Sequence, residues 1–201
     1  MNPLFEEARW SLQFLAPPWA DAVSIYEHIR SGRDGPLPDE FSVTEENQLK
    51  WSGGAWDGVL GHHWGGTDDP QRVPEILLAL RSLLERADGK TLNALYGLVS
   101  RESILPSVDL LLNELEESLS SAHRSRLLEL GRYFATRAPH REVVKFGVAL
   151  IGRVGTSLDL DVLRTIGRNE EFTLYVATAV PSARGFLLSY PSSRSRHCFA
   201  S

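Results

Sequence analysis

Apolar residues recur at helical spacing through most of the carboxyl-terminal two-thirds of the chain. In VPEILLALRSLLERA, Val73, Ile76, Leu77, Leu80 and Leu84 follow the i, i+3, i+4, i+7 pattern of one buried helical face. The pattern returns within 92–99, 108–119, 127–134, 143–151, 162–166 and 172–180. No comparable stretch alternates with the period of two that marks a β-strand. The sequence therefore predicts an all-α fold.

Glycine, proline and capping residues separate these patterns. The predicted breaks are Asp88-Gly89, Pro106-Ser107, Ala138-Pro139, Gly155-Thr156-Ser157 and Gly167-Arg168-Asn169. Asn169 is a good N-cap, because its side-chain oxygen can accept a hydrogen bond from the first free N–H groups of the next helix. Glu170 and Glu171 then lie at the positive end of the helix dipole. Since the connections are short, consecutive helices are predicted to lie antiparallel and side by side.

The helix pairs also recur along the chain. A shift of thirty residues places HREVVKFGVALIG (140–152) over EEFTLYVATAV, with Val144 on Leu174 and Gly147 on Ala177. The block TSLDLDVLRTIGRNEEFTLYVATAV resembles the short HEAT-like (armadillo-type) repeats: a first helix, a Gly-Arg-Asn turn, then a second helix rich in small residues. The resemblance extends over about residues 69–190 and is clearest over 140–180. It implies antiparallel helix pairs stacked as a short solenoid; an irregular helical bundle is the alternative.

Three regions are expected. Residues 1–68 form an acidic, Trp/Gly-rich helical region, with helices predicted over 3–15 and 19–31 and then a polar loop, SGRDGPLPDEFSVTEENQ. Residues 69–190 form the HEAT-like repeats. The Ser/Arg-rich tail, 191–201, is predicted to be disordered.

The stretch WSGGAWDGVLGHHWGG (51–66) allows two interpretations. As a helix it has a glycine stripe that permits close packing, so it is interpreted first as a packing corner. As a pocket it would have walls formed by Trp51, Trp56 and Trp64, and an enzyme there would use Asp57, His62 and His63, with a histidine as general base. Because adjacent histidines point about 100° apart on a helix, no metal site is expected. No cofactor-binding motif is present, so no cofactor is expected either.

Composition and charge narrow the classes of function. Residues 1–68 contain eleven acidic and four basic residues, whereas 69–201 contain fifteen and seventeen. An acidic amino-terminal third disfavours nucleic-acid binding, which needs a basic face. No apolar run has the length of a membrane span, and the start lacks the pattern of a signal peptide. Cys198 is the only cysteine, so a reducing, cytoplasmic location is expected.

Basic residues cluster in the segment 124–145, which contains six of them against two glutamates. In a solenoid the second helices of successive pairs line a concave ridge, and the thirty-residue shift matches Arg141 and Lys145 with Glu171 and Tyr175. Together with Arg137, these residues are the predicted partner-binding set. The positive groove would receive an acidic segment of a protein partner, or the acidic loop 34–46 of the same chain acting as a lid.

The predicted function is a non-enzymatic helical-repeat scaffold, an adaptor or an inhibitor of the immunity type, that binds a protein partner through its concave face. One alternative is a small hydrolase-like enzyme or small-molecule binder with its site in Trp51–Gly66. The other is a nucleic-acid-binding protein resembling the HEAT-like alkylpurine glycosylases. The oligomeric state stays open at this point.

Overall fold

A computed structural model of the chain describes residues 10–19, 21–33, 35–39, 72–116 and 120–188. Within these ranges the backbone forms eight α-helices, two 3₁₀ helices and no strand, so the prediction of an all-α fold is confirmed there. The helices are α1 (Ile25–Arg30), α2 (Arg72–Glu85), α3 (Gly89–Ser100), α4 (Leu105–Glu116), α5 (Ser121–Arg137), α6 (Arg141–Val154), α7 (Leu160–Ile166) and α8 (Thr173–Leu188). The 3₁₀ helices are Ser157–Asp159 and Glu170–Phe172.

The predicted helix breaks match the structure because side chains cap the helices there. Asp88 accepts a hydrogen bond from the Thr91 N–H and starts α3, and Asn169 accepts one from the Glu171 N–H. Pro106 is the exception, since it lies inside the first turn of α4 rather than between helices. A proline is tolerated there because its missing N–H would have no partner within the helix.

Of the two helices predicted near the amino terminus, the described residues show only the second, and only its later part. Residues 10–19 form turns, and the residues of the first predicted helix before 10 lie outside the described ranges. The second helix begins only at Ile25, where the Ser24 hydroxyl accepts a hydrogen bond from the Glu27 N–H. Non-local bonds hold the turn segment instead: the Trp10 indole N–H donates to the Leu83 carbonyl, and the Leu12 N–H donates to Glu129.

The most deeply buried helix is α6, which contacts α3, α4, α5 and α8. Ten of its fourteen residues are buried. Glycines permit this packing: a Cβ at Gly147 would lie 2.7 Å from the Ala135 backbone nitrogen on α5, and a Cβ at Gly152 would lie 2.9 Å from Ala179 on α8. Small residues at both crossings therefore allow α6 to be covered on two sides.

Burial does not follow the thirty-residue shift between α6 and α8. Val144 and Gly147 are buried, whereas their counterparts Leu174 and Ala177 are exposed. The reason is that α8 packs against α6 and α7, while α6 is enclosed by four other helices. The two helices share sequence spacing but not environment.

Buried residues from the amino-terminal segment belong to the same hydrophobic cluster as those of the later helices. Trp10, Leu12, Trp19 and Ile25 are members of this cluster, together with the apolar faces of α2 to α8. The described part of the amino-terminal region is therefore packed onto the helices that follow it. None of the helices in the described ranges combines the length and apolar character needed to cross a membrane.

Candidate functional site

Four of the five predicted partner-binding residues meet in one charged cluster at the amino end of α6. The Lys145 ammonium lies 2.7 Å from the Glu171 carboxylate and 5.5 Å from the centre of the Tyr175 ring. The Arg141 guanidinium lies 3.5 Å from the other carboxylate oxygen of Glu171. The structure thus brings these side chains together, as contacts within the chain.

The cluster is closed to solvent at its centre. Lys145 is 1 % exposed, and Glu171 and Tyr175 are also buried. A further carboxylate, Glu142, lies 2.9 Å from the Lys145 ammonium and accepts a hydrogen bond from the Ile104 N–H at 2.8 Å. Lys145, Glu171 and Tyr175 therefore do not form an exposed basic groove, which corrects that part of the prediction. The physical reason is that neutralising carboxylates come from the chain itself.

Asp39, from the acidic loop, completes the cluster on its outer side. Its carboxylate accepts a hydrogen bond from the Arg141 backbone N–H at 2.7 Å. It also accepts hydrogen bonds from the Arg141 guanidinium, from Nε at 3.1 Å and from Nη2 at 3.3 Å. Of the loop residues that the structure describes, Asp39 contacts Arg141; loop residues 34 and 40–46 lie outside the described ranges.

An open groove lies on another face, between residues 13–27 and the outward side of α5. Its volume is about 1430 Å³. Arg137, the fifth predicted partner-binding residue, lines this groove rather than the charged cluster. Phe14 also lines it and is 90 % exposed, more than any other large hydrophobic residue in the described ranges.

Trp19, Tyr26 and Tyr133 contribute aromatic rings to the lining of the groove. The Trp19 ring lies 4.7 Å from the Tyr96 ring and 5.9 Å from the Tyr133 ring, measured between centroids. Burial raises the pKa of Tyr133 above its usual range. The groove is therefore lined by aromatic rings that carry no charge at neutral pH.

Most charged side chains that line the groove already form hydrogen bonds or ion pairs within the chain. Glu129 accepts the Leu12 N–H at 3.0 Å, and Arg132 pairs with Asp159 on the 3₁₀ helix Ser157–Asp159. Burial alone would raise the pKa of Asp159, but hydrogen bonds from Arg132 and Thr156 outweigh it and lower that pKa. Within the described ranges, Arg137 has no ion pair with an acidic side chain.

The remaining predicted site residues, Trp51, Trp56, Trp64, Asp57, His62 and His63, all lie outside the described ranges. The packing corner, pocket and enzyme interpretations of this stretch stay predictions. Among the residues that the structure does describe, no group of histidine, cysteine, aspartate and glutamate could hold a metal ion. Comparison of the chain with protein-family models, curated proteins and solved structures finds no match.

Proposed function

We propose that the protein is a helical-repeat scaffold that binds a protein partner and carries out no chemistry of its own. Helix contacts support a short HEAT-like solenoid built from the pairs α2/α3, α5/α6 and α7/α8. The second helices of these pairs touch in succession, α3 with α6 and α6 with α8, and the first helices α2 and α5 also touch. The Arg72 guanidinium donates to the Leu98 and Ser103 carbonyls, so the start of α2 lies beside the end of α3, as an antiparallel pair requires.

The partner surface in this proposal is the groove along α5. The observation that carries it is the exposure of Phe14 in a groove that Trp19, Tyr133 and Arg137 also line, because protein-binding surfaces are enriched in aromatic and arginine residues. The second helices suit a partner less well, since α6 is covered by its neighbours and its charges are neutralised within the chain.

The chemistry of the groove favours a partner segment with one acidic and one large apolar side chain. Arg137 would receive the carboxylate, because a guanidinium binds carboxylates through two parallel hydrogen bonds. Phe14 and Tyr133 would pack against the apolar side chain. Aromatic and arginine residues of this kind supply most of the binding energy at protein interfaces.

Site-specific photo-crosslinking in cells of the native host tests this proposal. A photoreactive phenylalanine analogue replaces Phe14 in one variant and Leu158, which is 84 % exposed and lies outside the groove, in the matched control. We expect one protein to crosslink at position 14 and not at position 158. We also expect Arg137→Glu to abolish this crosslink and Arg168→Glu, at an exposed arginine outside the groove, to leave it unchanged.

Two results would overturn the proposal. One is the same set of crosslinked proteins at positions 14 and 158, which would indicate nonspecific contact. The other is a crosslink at position 14 that survives Arg137→Glu at full yield while circular dichroism shows an unchanged fold.

A further inference from the structure

The loop segment Gly35–Asp39, with the sequence GPLPD, lies on the helices in the manner of a bound peptide. Two residues anchor the segment: the Leu37 side chain is buried, and the Asp39 carboxylate accepts a hydrogen bond from Arg141. Pro36, which precedes Leu37, and Pro38, which lies between the two anchors, are exposed. Proline fixes φ near −65° and favours extended backbone in the residue before it. The segment is therefore held at two points, by an apolar side chain and by a carboxylate two residues later, and its backbone turns at Pro38–Asp39.

The surface that holds Asp39 is organised for a carboxylate. It combines the first N–H of α6, the positive end of that helix dipole and the Arg141 guanidinium. The His140 ring nitrogen lies 3.9 Å from the same carboxylate oxygen. Glu171 holds Arg141 from its other side and is itself held by Lys145, so the position of the guanidinium does not depend on Asp39 alone.

We infer that the amino end of α6 is a peptide-recognition site that the chain's own loop occupies. The site takes a proline-flanked segment with a leucine-like residue two positions before an aspartate. A protein partner with such a segment would compete with the loop for Arg141. This surface is separate from the groove along α5 and does not depend on the function proposed for that groove.

Competition by the loop determines what a binding experiment should show. A ligand tethered within the same chain acts at an effective concentration of millimolar order. A free peptide with the same contacts therefore binds the intact protein weakly, because the site is available only when the loop has left it. Removal of the two anchors from the loop should expose the site and raise the affinity for a free peptide.

The test uses the full-length protein and the peptide acetyl-GPLPD-amide, whose terminal groups carry no charge. Titrations follow the ¹⁵N–¹H signal of the Arg141 backbone amide. We expect the Leu37→Ala/Asp39→Ala variant to bind the peptide at least tenfold more tightly than the unsubstituted protein. A peptide with asparagine in place of aspartate should bind that variant at least tenfold more weakly. If the double variant does not fold, the isosteric Asp39→Asn protein replaces it, with the same comparison of the two peptides.

Receptor variants separate this inference from the function proposed above. In the Leu37→Ala/Asp39→Ala background, Arg141→Gln should abolish peptide binding and Arg137→Gln should leave it unchanged. No binding at millimolar peptide, or equal binding of the aspartate and asparagine peptides, would overturn the inference, and the loop would then be a structural strap only. Either outcome leaves the crosslink at position 14 untouched.

Discussion

Replacement of Lys145 by methionine should destabilise the protein strongly. Methionine has a similar length but no charge, so the change removes the ammonium from between Glu142 and Glu171 without leaving a large cavity. The distances from the ammonium to these carboxylates are 2.9 and 2.7 Å, and Lys145 is almost fully buried. After the substitution, two buried carboxylates lose their shared counter-charge.

The size of this effect follows from burial. Removal of one partner from a buried ion pair costs about 3–5 kcal/mol, because the remaining charge stays desolvated without compensation. In the variant, Glu142 still accepts the Ile104 N–H hydrogen bond and Glu171 still pairs with Arg141, so the expected loss lies at the lower end of this range, about 3 kcal/mol.

The matched control is Arg30→Met. Arg30 and Glu27 form a pair with the same sequence spacing and the same distance of 2.9 Å, but their side chains are 61 % and 51 % exposed. An exposed pair contributes about 0–1 kcal/mol.

Urea unfolding followed by circular dichroism measures both variants. The free energies of unfolding come from linear extrapolation, and the dependence on urea should stay unchanged if the folded state keeps its compactness. We expect the loss for Lys145→Met to exceed that for Arg30→Met by at least 2 kcal/mol, roughly the gap between buried and exposed pairs. Equal losses would refute the view that the cluster is sealed from solvent.

Two further predictions concern packing and pH. Gly147→Ala should destabilise the protein by about 1–3 kcal/mol, because the added Cβ would meet the α5 backbone. Gly97→Ala is the control: its added Cβ meets no other atom, so the substitution should stabilise the helix by about 0.5–1 kcal/mol. Thermal unfolding of both variants measures these effects, and a stabilising Gly147→Ala would contradict the close α5/α6 crossing. Asp159→Asn should lose stability at pH 6 and lose less at pH 3: the folded state lowers the pKa of Asp159, so its contribution is present above the ordinary carboxyl pKa of about 4 and declines as pH falls toward the folded value. Urea midpoints at both pH values measure the difference, and a constant gap between variant and unsubstituted protein would contradict the assignment.

Helices were predictable from the sequence wherever local chemistry decides them. The periodic apolar residues of α2, such as Ile76 and Leu80, are buried as their spacing predicts, and Asn169 caps as expected. Near the amino terminus the same periodicity was misleading. The bonds that hold residues 10–19 come from Leu83 and Glu129, far along the chain, and such partners leave no signal in local spacing.

The candidate site was predictable only in part. Helical spacing correctly placed Arg141 and Lys145 one turn apart on one face of α6. It could not show that Glu171 and Asp39 neutralise them, because those residues come from separate segments of the chain. The role of Glu142 was missed for another reason: its pairing with Lys145 has the i, i+3 spacing of ordinary surface pairs, and burial is not visible in that spacing. Phe14 was missed because a single exposed aromatic residue has no sequence signature.

Hydrogen exchange on the complex with the protein captured at position 14 tests the central claim most directly. The claim is that a partner binds the groove along α5 and not the row of second helices. We expect slower amide exchange on binding in residues 13–27 and 125–137, with α3 and α8 unchanged. Slower exchange confined to α3 and α8, with the α5 groove unaffected, would contradict it.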